Sequence, residues 1–200
     1  MKRAAFLAVG VLLVGFGPSA PPAQAGFIMT LVQQGANVVA TGSGTIDFTD
    51  LTVFGGGVSL AVMEPNAGTL NAGPVTATGV TVYSGITGPK SFGSGGETFA
   101  TFGSGDLVDI RPFPGTIGVP AGYVSGNPLS DSLIFQGYTF SSLGVTPGTY
   151  VWTWGTGADA DSYTLNIDTT TATPEPASLT LLGLGVVGLA GYGWRRKRTA

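Results

Sequence analysis

Between residues 27 and 168 no stretch repeats its apolar residues every 3.6 positions. They come in short runs of strand length, alternating with polar residues and stopping at Gly, Pro, Asn or Asp. Such a pattern cannot supply the apolar stripe of a helix, so this body is read as all-β. Phe27 to Gln33 and Asn37 to Gly42 flank Gln34-Gly35-Ala36 as a hairpin. Thr45 to Phe54 alternates and is expected to break at Gly55-Gly56-Gly57. Val58 to Met63, Val75 to Tyr83, Glu97 to Phe102, Leu107 to Ile110, Leu133 to Phe140, Thr149 to Trp154 and Ser162 to Asp168 read as further strands. Pro65 to Pro74 reads as a loop, the glycine-rich Gly85 to Gly96 as an exposed loop, and Arg111 to Pro128 as irregular structure. Roughly ten to twelve strands of ordinary length fit this span. The expected architecture is a two-sheet antiparallel sandwich, jelly-roll-like, with a β-solenoid as runner-up that lacks a fixed repeat.

The two ends are different. Lys2 and Arg3, the apolar run Ala4 to Phe16 and the site Ala23-Gln24-Ala25 follow one another as the regions of a secretory signal peptide. Residues 1–25 are therefore expected to form a signal helix that signal peptidase removes after Ala25. At the other end, Ala177 to Trp194 is uncharged and rich in Leu, Val and Gly. As a helix it would measure roughly 27 Å, enough to span a bilayer core. Arg195, Arg196, Lys197 and Arg198 follow it, a cationic end retained in the cytoplasm, which leaves the body on the far side. Pro174-Glu175-Pro176 stands just before the span, its two prolines holding the chain extended and open to a processing enzyme.

Pro-Glu-Pro, a short apolar span and an Arg-rich end, in that order, closely resemble the PEP-CTERM sorting signal, a motif also labelled the C-terminal domain of ice-binding proteins. Thr173 stands where that family often has Val. The resemblance implies export across the inner membrane of a Gram-negative bacterium, recognition of Pro174, Glu175 and Pro176 by an exosortase, and loss of the span. It further implies delivery to the cell surface or an exopolysaccharide matrix. The domain plan is then 1–25 signal peptide, 26–168 secreted β domain, 169–173 linker and 174–198 sorting signal with a transmembrane helix at 177–194. The block from Gly148 to Ile167, with Asp47 to Leu51, Phe92 to Gly96 and Val119 to Gly126, resembles one group of PEP-CTERM proteins of unknown activity. It implies a fold family and no reaction.

Charge and composition exclude several functions. Only Lys90 and Arg111 stand against ten carboxylates in residues 26–173, a net charge of −8, which repels phosphate backbones and argues against nucleic acid. The chain holds no Cys and no His, so thiol chemistry, imidazole-bound zinc and His-activated nucleophiles are out. No cofactor is implied.

The remaining candidates each have a bland alternative. Tyr150, Trp152 and Trp154 alternate and share a strand face. They could stack on sugar rings, or form core against Tyr163, Leu165 and Ile167; the more polar face of Thr149, Val151 and Thr153 favours core. Asp159, Asp161 and Tyr163 begin like a calcium loop, but no Gly stands sixth and Thr170 holds the twelfth place that needs Glu. Asp47 with Asp50, and Asp106 with Asp109, read as solvated turns. A glycoside hydrolase would need two carboxylates opposed across a cleft, which no spacing marks. Ice binding would need a regular threonine array, and Thr76, Thr78 and Thr81 keep no single register. The expected protein is a non-enzymatic surface or matrix component with a structural or adhesive role, with a carbohydrate-binding module as the alternative.

Overall fold

The computed structural model describes residues 26–168. The expected signal helix, its Ala23 and Ala25 site, the transmembrane helix and the sorting residues Pro174 to Pro176 and Arg195 to Arg198 lie outside these residues. Among the described residues no helix is long and apolar enough to cross a membrane.

Thirteen strands form two sheets. The first, in spatial order, contains β12 (Gly148–Trp154), β13 (Asp161–Asp168), β1 (Phe27–Gln34), β2 (Asn37–Gly44), β11 (Leu129–Gln136) and β8 (Phe102–Gly105). The second contains β3 (Thr52–Ser59), β6 (Thr78–Ser84), β10 (Thr116–Pro120), β9 (Val108–Arg111), β5 (Thr69–Ala72), β4 (Val62–Glu64) and β7 (Thr98–Phe99). Every pairing is antiparallel except that of the first and last strands, where Phe27 lies opposite Tyr163 and Val32 opposite Asp168 in parallel register. That pair, the strand count and hairpins kept within one sheet, such as β1 with β2 and β12 with β13, depart from an eight-stranded jelly roll of two Greek keys.

The alternating sequence builds this arrangement directly. Along β1, Phe27, Met29 and Leu31 are fully buried, and along β13 so are Tyr163 and Leu165. Their neighbours on the other sheet are Met63, Leu70, Ala72, Val108, Ile110 and Ile117, so the two inner faces close on one hydrophobic cluster. The first hairpin turns at Gly35, whose φ of 60° favours glycine.

Several expectations change. Pro65 to Pro74, expected as a loop, contains β5 with Leu70, Asn71 and Ala72 buried; β11 runs Leu129–Gln136 rather than Leu133 to Phe140; and Val58 to Met63 divides between β3 and β4. Gly55-Gly56-Gly57 does not break a strand but lies inside β3, and the preceding Thr45 to Leu51 is not strand. Residues 85–96 form a largely exposed loop, as expected, but one docked on the body: Ile86 and Phe92 are buried, and Thr87 exchanges two backbone hydrogen bonds with Thr153 at 3.0 and 2.8 Å. The loop passes so close over β12 that a Cβ on Gly88 would stand 2.5 Å from Trp152 Cδ1. The segment expected to be irregular contains β10, which pairs with both β6 and β9. A four-residue helix, α1 (Phe140–Leu143), closes on a capping box between Thr139 and Ser142.

Candidate functional site

The aromatic row of β12 points inward. Trp152 is 0% exposed and Trp154 4%. Trp152 meets Tyr163 edge-on at 5.7 Å and donates its indole N–H to Pro89 O at 2.8 Å; Trp154 donates to Asp47 O at 2.6 Å. Tyr150, half-buried, packs edge-on against Phe92 and donates its hydroxyl to Thr146 O. The row is core, with Tyr150 opposite Leu165, Trp152 opposite Tyr163 and Trp154 opposite Asp161 on β13. Glycan stacking by Trp152 and Trp154 is therefore corrected: buried rings with satisfied N–H groups present no face to a sugar.

The carboxylates are less solvated than their spacing suggests. Asp161 is buried and takes the Asp47 amide on Oδ2 and the Ser162 amide on Oδ1, which ties the Thr45–Leu51 segment to β13. Asp47 accepts from the Thr49 amide and hydroxyl and from Ser125 Oγ, and those bonds hold its carboxyl below the ordinary range. Among the described residues no three acidic side chains gather as a metal site requires.

Asp109 overturns the solvated-turn reading. Val108 and Ile110 fill the core, so Asp109 and Arg111 occupy the opposite face of the second sheet. Asp109 is nonetheless only 2% exposed, because it lies over Gly118 of β10, where a Cβ would come within 3.0 Å of its own. Arg111 Nη2 stands 2.6 Å from Asp109 Oδ2. With the Asn71 amide turned to satisfy its neighbours, its nitrogen donates to Asp109 Oδ1 at 3.0 Å and its oxygen accepts from Arg111 at 3.1 Å and Ser59 Oγ at 2.8 Å. Burial pushes the Asp109 carboxyl up to about 6 against the pull of Arg111. Ser59, Asn71, Asp109 and Arg111 thus join three strands through one polar network. The signal for it was in the sequence: an Asp and one of the body's two cations two residues apart in a strand must share a face.

Arg111 also borders an open groove of about 410 Å³, floored by Gly55, Gly56 and Gly57 and flanked by Phe54, Val58, Val82, Phe113 and Pro114. Phe113 is 85% exposed, Val58 72% and Phe54 64%. This groove on the outer face beside β3 sets apolar side chains around a polar anchor, and no motif marked it.

A third buried acid stands in the core. Asp131 lies opposite Gly42 and is 6% exposed, and neither carboxylate oxygen nor the fully buried Tyr163 hydroxyl has a well-formed hydrogen bond. Desolvation, reinforced by Asp106, pushes the Asp131 carboxyl up to about 7. Glycine is needed at 42, where a Cβ would run into Asp131 Oδ1 and stand 2.7 Å from Phe27 Cζ. Asp109 and Asp131 belong to different sheets.

No curated protein and no solved structure matches this chain. Residues 172–197 match the family model of the PEP-CTERM protein-sorting motif. They overlap the apolar, Arg-ended segment singled out from the sequence, and the chain is accordingly one that carries a PEP-CTERM sorting motif, the mark of an exported protein handled by an exosortase-type enzyme and sorted to the cell surface.

Proposed function

We propose that this protein is a structural or adhesive component of the cell surface or exopolysaccharide matrix, and that its β domain acts without catalysis. The observation that carries the reading is the sorting motif at residues 172–197, joined to a body whose polar clusters tie strands together. In this account signal peptidase removes residues 1–25 and the apolar segment 177–194 holds the chain in the inner membrane. The exosortase-type enzyme then acts at Pro174-Glu175-Pro176 and releases the acidic body. Its charge of −8 keeps it soluble and apart from nucleic acid.

The test is the fate of the chain in a cell with an exosortase-type enzyme. Glu175→Gln, or deletion of Arg195 to Arg198, is expected to leave an uncleaved, membrane-bound form, seen as a larger species in the membrane fraction. Unchanged release of the mature protein from both variants would refute the sorting account. A carbohydrate-binding role, the second reading, would have to use a surface other than β12, and glycan-array binding by the mature protein is its direct assay.

A further inference from the structure

Residues 26–173 hold only two cations, and both stand at adjoining hollows. Arg111 borders the groove of about 410 Å³ beside β3, and Lys90 borders a second hollow of about 370 Å³. Phe113 and Pro114, in the turn between β9 and β10, line both. This turn is docked on the Gly85 to Gly96 loop through Gly115 O, which accepts from the Gly85 and Ile86 amides at 3.1 and 3.3 Å. Gly68 lets the Lys90 and Pro112 segments close up, since a Cβ there would stand 2.9 Å from both the Lys90 carbonyl carbon and Pro112 Cγ. Ten carboxylates accompany the two cations in residues 26–173, yet none lines either hollow. Lys90 is exposed and pairs with no carboxylate among the described residues. Arg111 is paired with Asp109, but its bonds there all run through Nη2, which leaves its Nη1 and Nε donors unspent. Phe113, the wall the hollows share, is 85% exposed. The hollows are thus cationic and apolar in a body that is otherwise negative.

We propose, resting on the reading of the protein as a matrix component, that these hollows bind an acidic polysaccharide whose carboxylates are spaced by neutral sugars. A sugar ring lies on Phe113, with carboxylates at Lys90 and Arg111. Each part of the ligand follows from a group on the surface. The electron-rich face of an exposed aromatic ring suits the C–H groups of a sugar ring, which carry partial positive charge. The cations call for carboxylates, and Arg111, its guanidinium held by Asp109, is oriented before the ligand arrives. The spacing of the acids follows from the rest of the body. At −8 it repels a dense polyanion such as nucleic acid, whereas an acid set among neutral sugars seats at the two cations without crossing that field. A peptide fits this surface less well. Pro112 and Pro114 have no N–H, and the Gly115 N–H is spent on Arg111 O at 3.2 Å. With the Gly115 carbonyl taken by the loop, the shared wall offers an extended chain no backbone ladder.

The test is calorimetric binding of hyaluronan oligosaccharides, in which glucuronate alternates with a neutral sugar, to the protein recovered from expressing cells. Saturable binding is expected for the wild-type protein, weakening as salt rises. Hyaluronan whose carboxylates have been reduced to alcohols, and neutral dextran, are expected to bind about tenfold less tightly or not at all. Lys90→Gln and Phe113→Ser are each expected to weaken hyaluronan binding about tenfold, and Phe113→Trp to keep it. Both side chains are exposed, so circular dichroism and urea midpoints are expected to stay unchanged. A wild-type protein that binds no hyaluronan overturns the proposal. So does binding that survives carboxyl reduction undiminished, binding indifferent to both substitutions, or equal binding of a poly-glutamate peptide, which would mark a site for acidic protein. The sorting account fails separately: unchanged release from Glu175→Gln leaves the hyaluronan result standing, and absent hyaluronan binding leaves release of the mature chain as it was.

Discussion

Asp131 stores a pH dependence in one side chain. Its pKa is raised to about 7 in the folded protein from an ordinary value near 3.8. The folded state therefore binds more protons than the unfolded state between those values. Stability is greatest at the acid end of that window and falls as pH rises from about 4 to about 7, after which the loss is complete. The full shift corresponds to a loss on the order of 4 kcal/mol. Asp109, raised to about 6, adds a loss of the same sign, whereas Asp47, with its lowered pKa, responds only at lower pH. Asp131→Asn, nearly isosteric and uncharged, is expected to flatten the slope and to be the more stable protein at pH 8. Urea midpoints at pH 5 and pH 8 for both proteins check it; parallel curves would show that the carboxyl is solvated.

Elements differ in how clearly the sequence announces them. β1, β2, β12 and β13 were legible because each alternates over seven or eight residues, and alternation commits one face to the core whatever its neighbours do; β11 was read four residues late, as Leu133 to Phe140, because the inward-facing Asp131 breaks its apolar alternation. The place of the triglycine in β3 was not, because glycine weakens local strand preference and only pairing with β6 holds Gly55 to Gly57 extended. Nor was the burial of Asp109, which depends on Gly118 of another strand leaving room above it. The docking of the Gly85 to Gly96 loop on β12 was hidden for the same reason: its glycines signal loop, but Gly88 serves close approach to Trp152. Gly88→Ala is expected to force the loop off β12, costing about 1–3 kcal/mol, with a red shift in tryptophan emission and faster exchange of the Thr153 amide. Gly96→Ala, where an added Cβ meets nothing within 4 Å, is the control and is expected to change little.

At the scale of the whole molecule, the strand that ends the domain is not at its margin. β13 lies between β12 and β1 and contributes Tyr163, Leu165 and Ile167 to the core. A chain ending at Asp168 is expected to unfold with the same urea midpoint as one ending at Thr173. A chain ending at Ala160 is expected not to fold cooperatively. Loss of several large buried side chains, at about 2–5 kcal/mol each, exceeds the roughly 5–15 kcal/mol that holds a domain of this size together. Equal stability of the two longer chains would place removal of the sorting segment outside the folded unit, and a lowered midpoint on ending at Asp168 would place part of it inside.

The parallel seam between Phe27 and Asp168 also fixes an order of events. The residues made first must wait for those made last, since β1 finds its second neighbour only when the final strand emerges. A ribosome or a translocation pore that still holds residues 161–168 thus holds a body whose β1–β13 seam is open, which leaves the polypeptide threadable until its last moment in transit.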